Sequence, residues 1–337
     1  MFTIFTNYAG EMAALGTSLC WTVTALAFEY AAKRIGSLAL NILRLFVALF
    51  IFMIINLVRS GQAIPLDAGG YVWFWLSLSG LVGFVFGDIF LFQSYIDIGA
   101  RTAQVIFVSS PLITAILGYF LLGERIKPIG VLGMLLVIGA IVWVILEKRS
   151  AQAKESNMNK DGISGSKASG SNCDRTLSMM DQGQSGRQAG AATRRLRGVL
   201  FAFFGALGQS GGLILSKIGA PQYDPLRATE IRVIAGLIGF LVMAMILRKL
   251  KEPVRALRNL EALKVLSLGA FFGPFLGVSL GLFAVQRANT GVAATLMGLT
   301  PILIVFPSVI IYKEKLTVQE VLGAVLAVLG LTFLFLA

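Results

Sequence analysis

Apolar runs of about twenty residues recur along the chain, each bounded by a short polar connection. A helix needs about twenty mostly apolar residues to cross a bilayer, and ten runs come close: 11–31, 36–58, 71–93, 102–122, 129–146, 198–216, 229–247, 262–285, 291–312 and 318–336. Helices are expected, because an open strand edge in lipid leaves backbone groups unpaired. The alternation of an outer-membrane barrel is absent. One polar stretch interrupts the series, Glu147 to Arg197, with GISGSKASGSN and DQGQSGRQAG inside it. Its composition cannot bury a core, so it reads as a flexible tether with basic ends. The pattern divides the chain into a unit at 1–149, a linker at 150–196 and a second unit at 197–337.

The two units repeat one another. SSPLITAILGYFLLGERIKPIGVLG, from Ser109 to Gly133, matches LTPILIVFPSVIIYKEKLTVQEVLG, from Leu299 to Gly323. One offset of 190 residues takes Pro111 to Pro301, Glu124 to Glu314, Gly83 to Gly273 and Gly87 to Gly277. Each unit holds five runs. An odd number places the second unit upside down relative to the first, which is an inverted repeat. The expected fold is an all-α integral membrane protein of ten transmembrane helices in two inverted five-helix repeats. Charge agrees: the connection from Arg59 to Tyr71 carries one basic residue, whereas its repeat partner carries Arg248, Lys249, Lys251, Arg255, Arg258 and Lys264.

Composition supports a membrane protein and removes several chemistries. Of 337 residues, 56% are hydrophobic and 14% charged, and the mean hydropathy is +0.81, more apolar side chain than a soluble domain of this size can hide. The net charge of +12 sits mostly in the connections, as topology requires, so nucleic acid is not expected as a partner. The absence of histidine excludes Ser-His catalysis, histidine shuttles and histidine metal sites. Cys20 and Cys173 make neither a disulfide framework nor a metal cluster. No metal, cofactor or catalytic residue is expected, and no G-x-x-x-x-G-K-[ST] loop offers ATP coupling. MFTIFTNYAGEM has no basic leader region, so the first run reads as a retained helix.

Asp88 is the sharpest chemical signal. It lies inside the third run, and its repeat partner is Val278, so the fold itself does not demand an acid there. A mid-bilayer carboxylate costs about 2.5–3.5 kcal/mol on insertion scales, so it should face a wet cavity or a partner. One reading is a proton-coupling or cation-binding group; the other is a structural hydrogen bond. Arg44 and Arg232 are repeat partners expected to snorkel to the headgroups, with substrate binding as the alternative. Lys33, Lys217, Glu124-Arg125 and Glu314-Lys315 close their spans and read as interfacial anchors. Pro111 and Pro301 each remove a backbone donor in mid-span and should kink or gate the fourth and ninth helices.

These features resemble the EamA domains of the drug/metabolite transporter superfamily. The matching residues are Trp21, Lys33, Arg44, Gly83/Gly87, Pro111, Glu124 and Gly133, repeated as Lys217, Arg232, Gly273/Gly277, Pro301, Glu314 and Gly323. The likeness covers the chain except the linker, which is longer than usual. It implies a central cavity lined by spans 1, 3, 4, 6, 8 and 9, and transport, mostly export, of small organic metabolites or amphipathic drugs across the cell (inner) membrane. The cavity would hold Trp21, Asp88, Phe92, Gln93, Gln104, Ser109 and Ser110 from the first unit, and Gln209, Ser210, Phe283 and Thr300 from the second. Such aromatics with scattered amides and hydroxyls suit an amphipathic organic molecule. The expected partners are that substrate, the lipid bilayer and protons as coupling ion, in a monomer or a homodimer. The family implies cytoplasmic termini. The charge count points the other way, with 21 basic residues on the linker side and 6 on the opposite side.

Two other classes compete. An intramembrane enzyme lacks a histidine and a second deep aspartate. A passive channel or scaffold would show a polar stripe through the full span, whereas the polar residues here are sparse and central.

Overall fold

The computed structural model describes residues 8–107, 109–136, 138–140, 142–143 and 174–303, and the single positions 322, 326, 329, 330 and 333. For 174–192 it describes the backbone alone. Every regular element among them is helical. In chain order they are α1 (Ala9–Ile35), α2 (Ser37–Ser60), α3 (Gly70–Ile98), α4 (Ala100–Phe107), α5 (Ser109–Leu122) and α6 (Pro128–Ala140). Then come α7 (Asp174–Gly219), α8 (Pro225–Ile246), α9 (Lys251–Ala256), α10 (Leu260–Arg287), α11 (Thr290–Met297) and α12 (Thr300–Leu303).

Six helical stretches are long and apolar enough to cross a membrane: α1, α2, α3, Thr193–Gly219 of α7, α8 and α10. They are the first three runs of each unit. The fourth run is present as α4 and α5, the fifth as α6, and the start of the ninth as α11 and α12. The rest of the ninth and most of the tenth, with Glu314, lie outside the described residues. So does 150–173 of the linker, while 174–196 continues the backbone of α7. Leu, Met, Gln, Arg and Ala supply helix propensity there.

Turn chemistry sets the hairpins. Gly36 (φ +81°) alone joins α1 to α2, and Gly99 (φ +80°) alone joins α3 to α4. A side chain at either position would be strained, so both joints are glycine. Pro225 opens α8 while Asp224 caps it, accepting from the Leu226 and Arg227 amides at 3.1 and 3.0 Å, which satisfies donors the first turn leaves free.

Two helices widen at equivalent places. α3 takes a π-helical turn over Leu81–Asp88, and α10 over Phe271–Gly277. The glycines in these turns let neighbours approach closely. α7 lies on α3 glycine to glycine: a Cβ on Gly208 would come 2.5 Å from the Gly87 Cα. α10 lies on α1 glycine to side chain: a Cβ on Gly273 would come 2.7 Å from the Thr24 Cγ2. Buried apolar side chains fill the space between helices, among them Phe28, Phe52, Phe84 and Phe240, while Phe46, Phe50, Phe74 and Phe120 point outward.

Candidate functional site

The glycine seam between α3 and α7 positions the polar centre of the protein. It brings Gln209 beside Asp88, at the end of the π-helical turn. The Asp88 Oδ1 accepts from the Gln209 amide. Its Oδ2 accepts from the Arg44 guanidinium, which reaches inward from α2. Asp88 and Arg44 are each only 3% exposed. Arg44 also donates through Nε to Asn41 at 2.9 Å, and Asn41 donates to the Ser37 carbonyl at 3.0 Å. Phe92, Phe28 and Phe84 surround the guanidinium, with centroids 4.7, 5.6 and 5.7 Å from its Cζ, a favourable cation–π setting. The carboxylate is thus paired and hydrogen-bonded on both oxygens, as a buried charge must be.

Two lobes of empty space flank this pair. One, a cavity of about 60 Å³, is lined by Arg44, Asp88, Phe92, Tyr95 and Gln104 among others. The other, of about 40 Å³, is lined by Ser110, Pro111, Leu213, Arg232 and Met297 among others. Trp21, Phe107, Gln209 and Val278 line both, so the lobes are neighbours across these side chains. Residues of both units contribute. In the first lobe Gln104 donates to the Tyr95 hydroxyl at 2.6 Å.

Most of the residues expected at a cavity gather here, and some do not. Trp21, Asp88, Phe92, Gln104 and Gln209 line the first lobe, and Ser110 the second. Ser210 stands behind Ser110, their hydroxyls 2.9 Å apart. Gln93 instead accepts from Ser37 at 3.0 Å. Ser109 donates back to the Ile106 carbonyl at 2.8 Å. Thr300 donates to the Met297 carbonyl at 3.2 Å, and Phe283 packs in a side-chain cluster beneath Arg287. None of these four lines either lobe. Pro111 lines the second lobe; the Pro301 side chain lies outside the described residues.

Two assignments are corrected. Arg44 and Arg232 do not snorkel: each is 3% exposed and lines a lobe. Both helices turn these positions toward the interior, where Asp88 accepts from Arg44 and the Phe84 ring lies 5.1 Å from the Arg232 Cζ. Lys217 and Glu124 are also more than span-closing anchors. Lys217 donates to Glu124 at 2.6 Å, to the Thr290 hydroxyl at 3.0 Å and to the Ala288 carbonyl at 3.2 Å. Glu124 in turn accepts from the Thr290 amide at 2.8 Å. This network ties the chain just after α5, the end of α7 and the start of α11 together. Tyr95 is the site residue that sequence reasoning passed over, and the two arginines are ones it ranked as anchors ahead of substrate binding. The available signal was a pair of repeat-matched arginines inside apolar runs.

Among the described residues no three His, Cys, Asp or Glu side chains group as a metal site.

Comparison with known proteins adds three findings. The profile of the EamA-like transporter family matches residues 8–146 and 196–336. "Uncharacterized transporter sll0355" of Synechocystis sp. is 26% identical over 271 residues, 80% of this chain and 74% of that protein. A crystal structure at 17% identity superposes with a TM-score of 0.63, covering 98% of this chain and 97% of the other, which places both on one backbone plan.

Proposed function

The chain belongs to the EamA-like transporter family, and on that premise we propose that it is a secondary transporter exporting a small organic metabolite or amphipathic drug by alternating access. It is a multi-pass membrane protein; the cell (inner) membrane is the proposed site. The observation that carries the proposal is the cavity itself. It lies between the two matched units, mostly apolar and aromatic, with a few convergent polar groups, the usual make-up of a small-molecule site.

The proposed architecture is ten helices in two inverted five-helix units, 1–149 and 197–337, joined by the 150–196 linker. In support, α1 starts on the face that holds Ala288, beside Gly10. The matching span of α7 starts on the other face, where Arg197 donates to Asp97 at 2.8 and 2.9 Å. The linker face carries most of the basic residues, so the positive-inside rule puts it in the cytoplasm and both termini outside. In a variant lacking Cys20 and Cys173, a cysteine at Ser166 should label only after the cytoplasmic side is opened; labelling from outside would reverse the orientation.

Asp88 lines the first lobe and is the proposed proton-coupling group: proton uptake would release Arg44, and proton loss would restore the pair. The central test is flux in proteoliposomes holding the purified protein, with labelled amphipathic compounds and an imposed pH gradient. Saturable flux that responds to the gradient supports the proposal. Unsaturable leak of ions and solutes alike points instead to a channel.

A further inference from the structure

The second lobe holds a charge that no acid among the described residues meets with a hydrogen bond. Arg232 is 3% exposed, yet among the described residues its Nε and Nη1 are buried without a hydrogen-bond partner. Its position is fixed by close packing: a Cβ on Gly80 would come 2.3 Å from the Arg232 carbonyl oxygen, and one on Gly83 3.4 Å from Nη2. Phe84 lies 5.1 Å from its Cζ and contributes a π face, which accepts no directed hydrogen bond.

An unpaired guanidinium inside a membrane protein is costly. Arg44, the repeat partner, meets that cost with Asp88. Arg232 has no acid of its own. Among the described residues lining the two lobes, the formal charges are Arg44, Arg232 and Asp88, which leaves one positive charge uncompensated. Apart from Ser110 and Gln209, the rest of the second lobe is apolar, with Trp21, Phe107, Leu213, Ala294 and Met297 among its lining. We infer that Arg232 is the recognition residue for an organic anion, a carboxylate carried on an apolar or aromatic body. The planar fork of donors suits two carboxylate oxygens, and the apolar wall suits the body. This rests on reading the cavity as the transport site, and it narrows that reading from amphipathic compounds in general to amphipathic anions.

The test uses three probes of one shape: 3-phenylpropionate, its amide and 3-phenylpropylamine. Calorimetric titration into the purified full-length protein should show the carboxylate binding at least about tenfold more tightly than the amide, as a charge-assisted bond to a buried group allows. The amine should bind more weakly still. Arg232→Gln should bring carboxylate and amide to within about twofold of each other, on the same relation. If Arg232→Gln does not purify, Arg232→Lys keeps the charge without the fork and should cut the preference by roughly threefold or more. Equal binding of carboxylate and amide by the native protein, tighter binding of the amine, or no binding by any probe overturns the inference. So does a carboxylate preference that survives Arg232→Gln. Displacement of the carboxylate by chloride alone assigns the site to an inorganic anion and also overturns it. Flux of the same probes in proteoliposomes separates the two readings. Carboxylate-selective binding without flux overturns transport and keeps the Arg232 site; flux without carboxylate selectivity does the reverse.

Discussion

Asp88 and Val278 occupy the same place in the two units, each one residue beyond a matched glycine and at the end of a π-helical turn. Around them the units agree: each has an arginine on its second span, 3% exposed and turned inward. They differ in what faces that arginine. In the first unit it is a carboxylate that Arg44 and Gln209 satisfy. In the second it is a lobe of mostly apolar side chains with Ser110 and Gln209 among them, and no acid among the described lining. A repeat that shares its scaffold but carries the acid in one unit alone leaves one charge closed and the other open. The site is read from the point where the units stop matching, because the matched parts only build the frame.

The largest effects should come from opening the closed pair. Asp88→Val copies the second unit and leaves Arg44 without its acid. Loss of one partner from a buried pair costs about 3–5 kcal/mol, so thermal stability in detergent should fall steeply and transport should vanish. Arg44→Met should do the same. The double variant removes both charges, and an apolar replacement of a whole pair is often neutral. Its stability should therefore return toward that of the native protein while transport stays lost. Asp88→Asn keeps the shape but not the titration, and should bind substrate without responding to a pH gradient. A double variant no more stable than either single one would show that the pair is not the coupling between these residues. A gradient-driven Asp88→Asn would remove Asp88 from proton coupling.

The second contrast is between the two seams. At Gly208 an added Cβ meets backbone 2.5 Å away, and backbone cannot step aside. At Gly273 it meets the Thr24 methyl group at 2.7 Å, and that side chain can turn if its bond to the Cys20 carbonyl at 2.9 Å is given up. Gly208→Ala should thus cost more than Gly273→Ala, with the first in the range of about 1–3 kcal/mol for overpacking. It should also disturb Gln209 and so weaken substrate binding. Comparing unfolding midpoints of the two variants measures the difference, and equal midpoints would mean that the α3–α7 seam is the more compliant one.

Much of this was legible beforehand, and the missing part has a physical cause. The repeat offset exposed Asp88 against Val278, and the apolar runs gave the first three spans of each unit. The glycine pairs were readable as close packing. The inward turn of Arg44 and Arg232 was not, because a long side chain two turns from a helix end can reach either a headgroup or an interior acid. That choice depends on which face α2 and α8 present to α3, a matter of tertiary packing. Gln93 and Gln104 show the same limit. Both are amides near the end of a span, yet one bonds Ser37 and the other lines the cavity.

Lys33 and Lys217 carry the comparison to its smallest scale. Both close the first span of their unit, and sequence treats them alike. Lys33 is paired to Glu29 along its own helix, with its side chain 51% exposed. Such a pair is worth only about 0.3–0.5 kcal/mol, so Lys33→Ala should leave both stability and transport nearly unchanged. Lys217 bonds three partners, one in the connection after α5, one in the connection before α11 and one on α11, and its loss strands Glu124 against the Thr290 amide. Lys217→Met should cost about 1–2 kcal/mol, between the values for an exposed pair and a buried charged bond. The network sits one turn of α7 beyond Leu213, which lines the second lobe; if it gates that lobe, its loss should also raise substrate exchange from that side. If the cavity opens and closes elsewhere, Lys217→Met would lower the unfolding midpoint and leave the exchange rate where it was. Measuring both quantities on both lysine variants tells a gate from a staple.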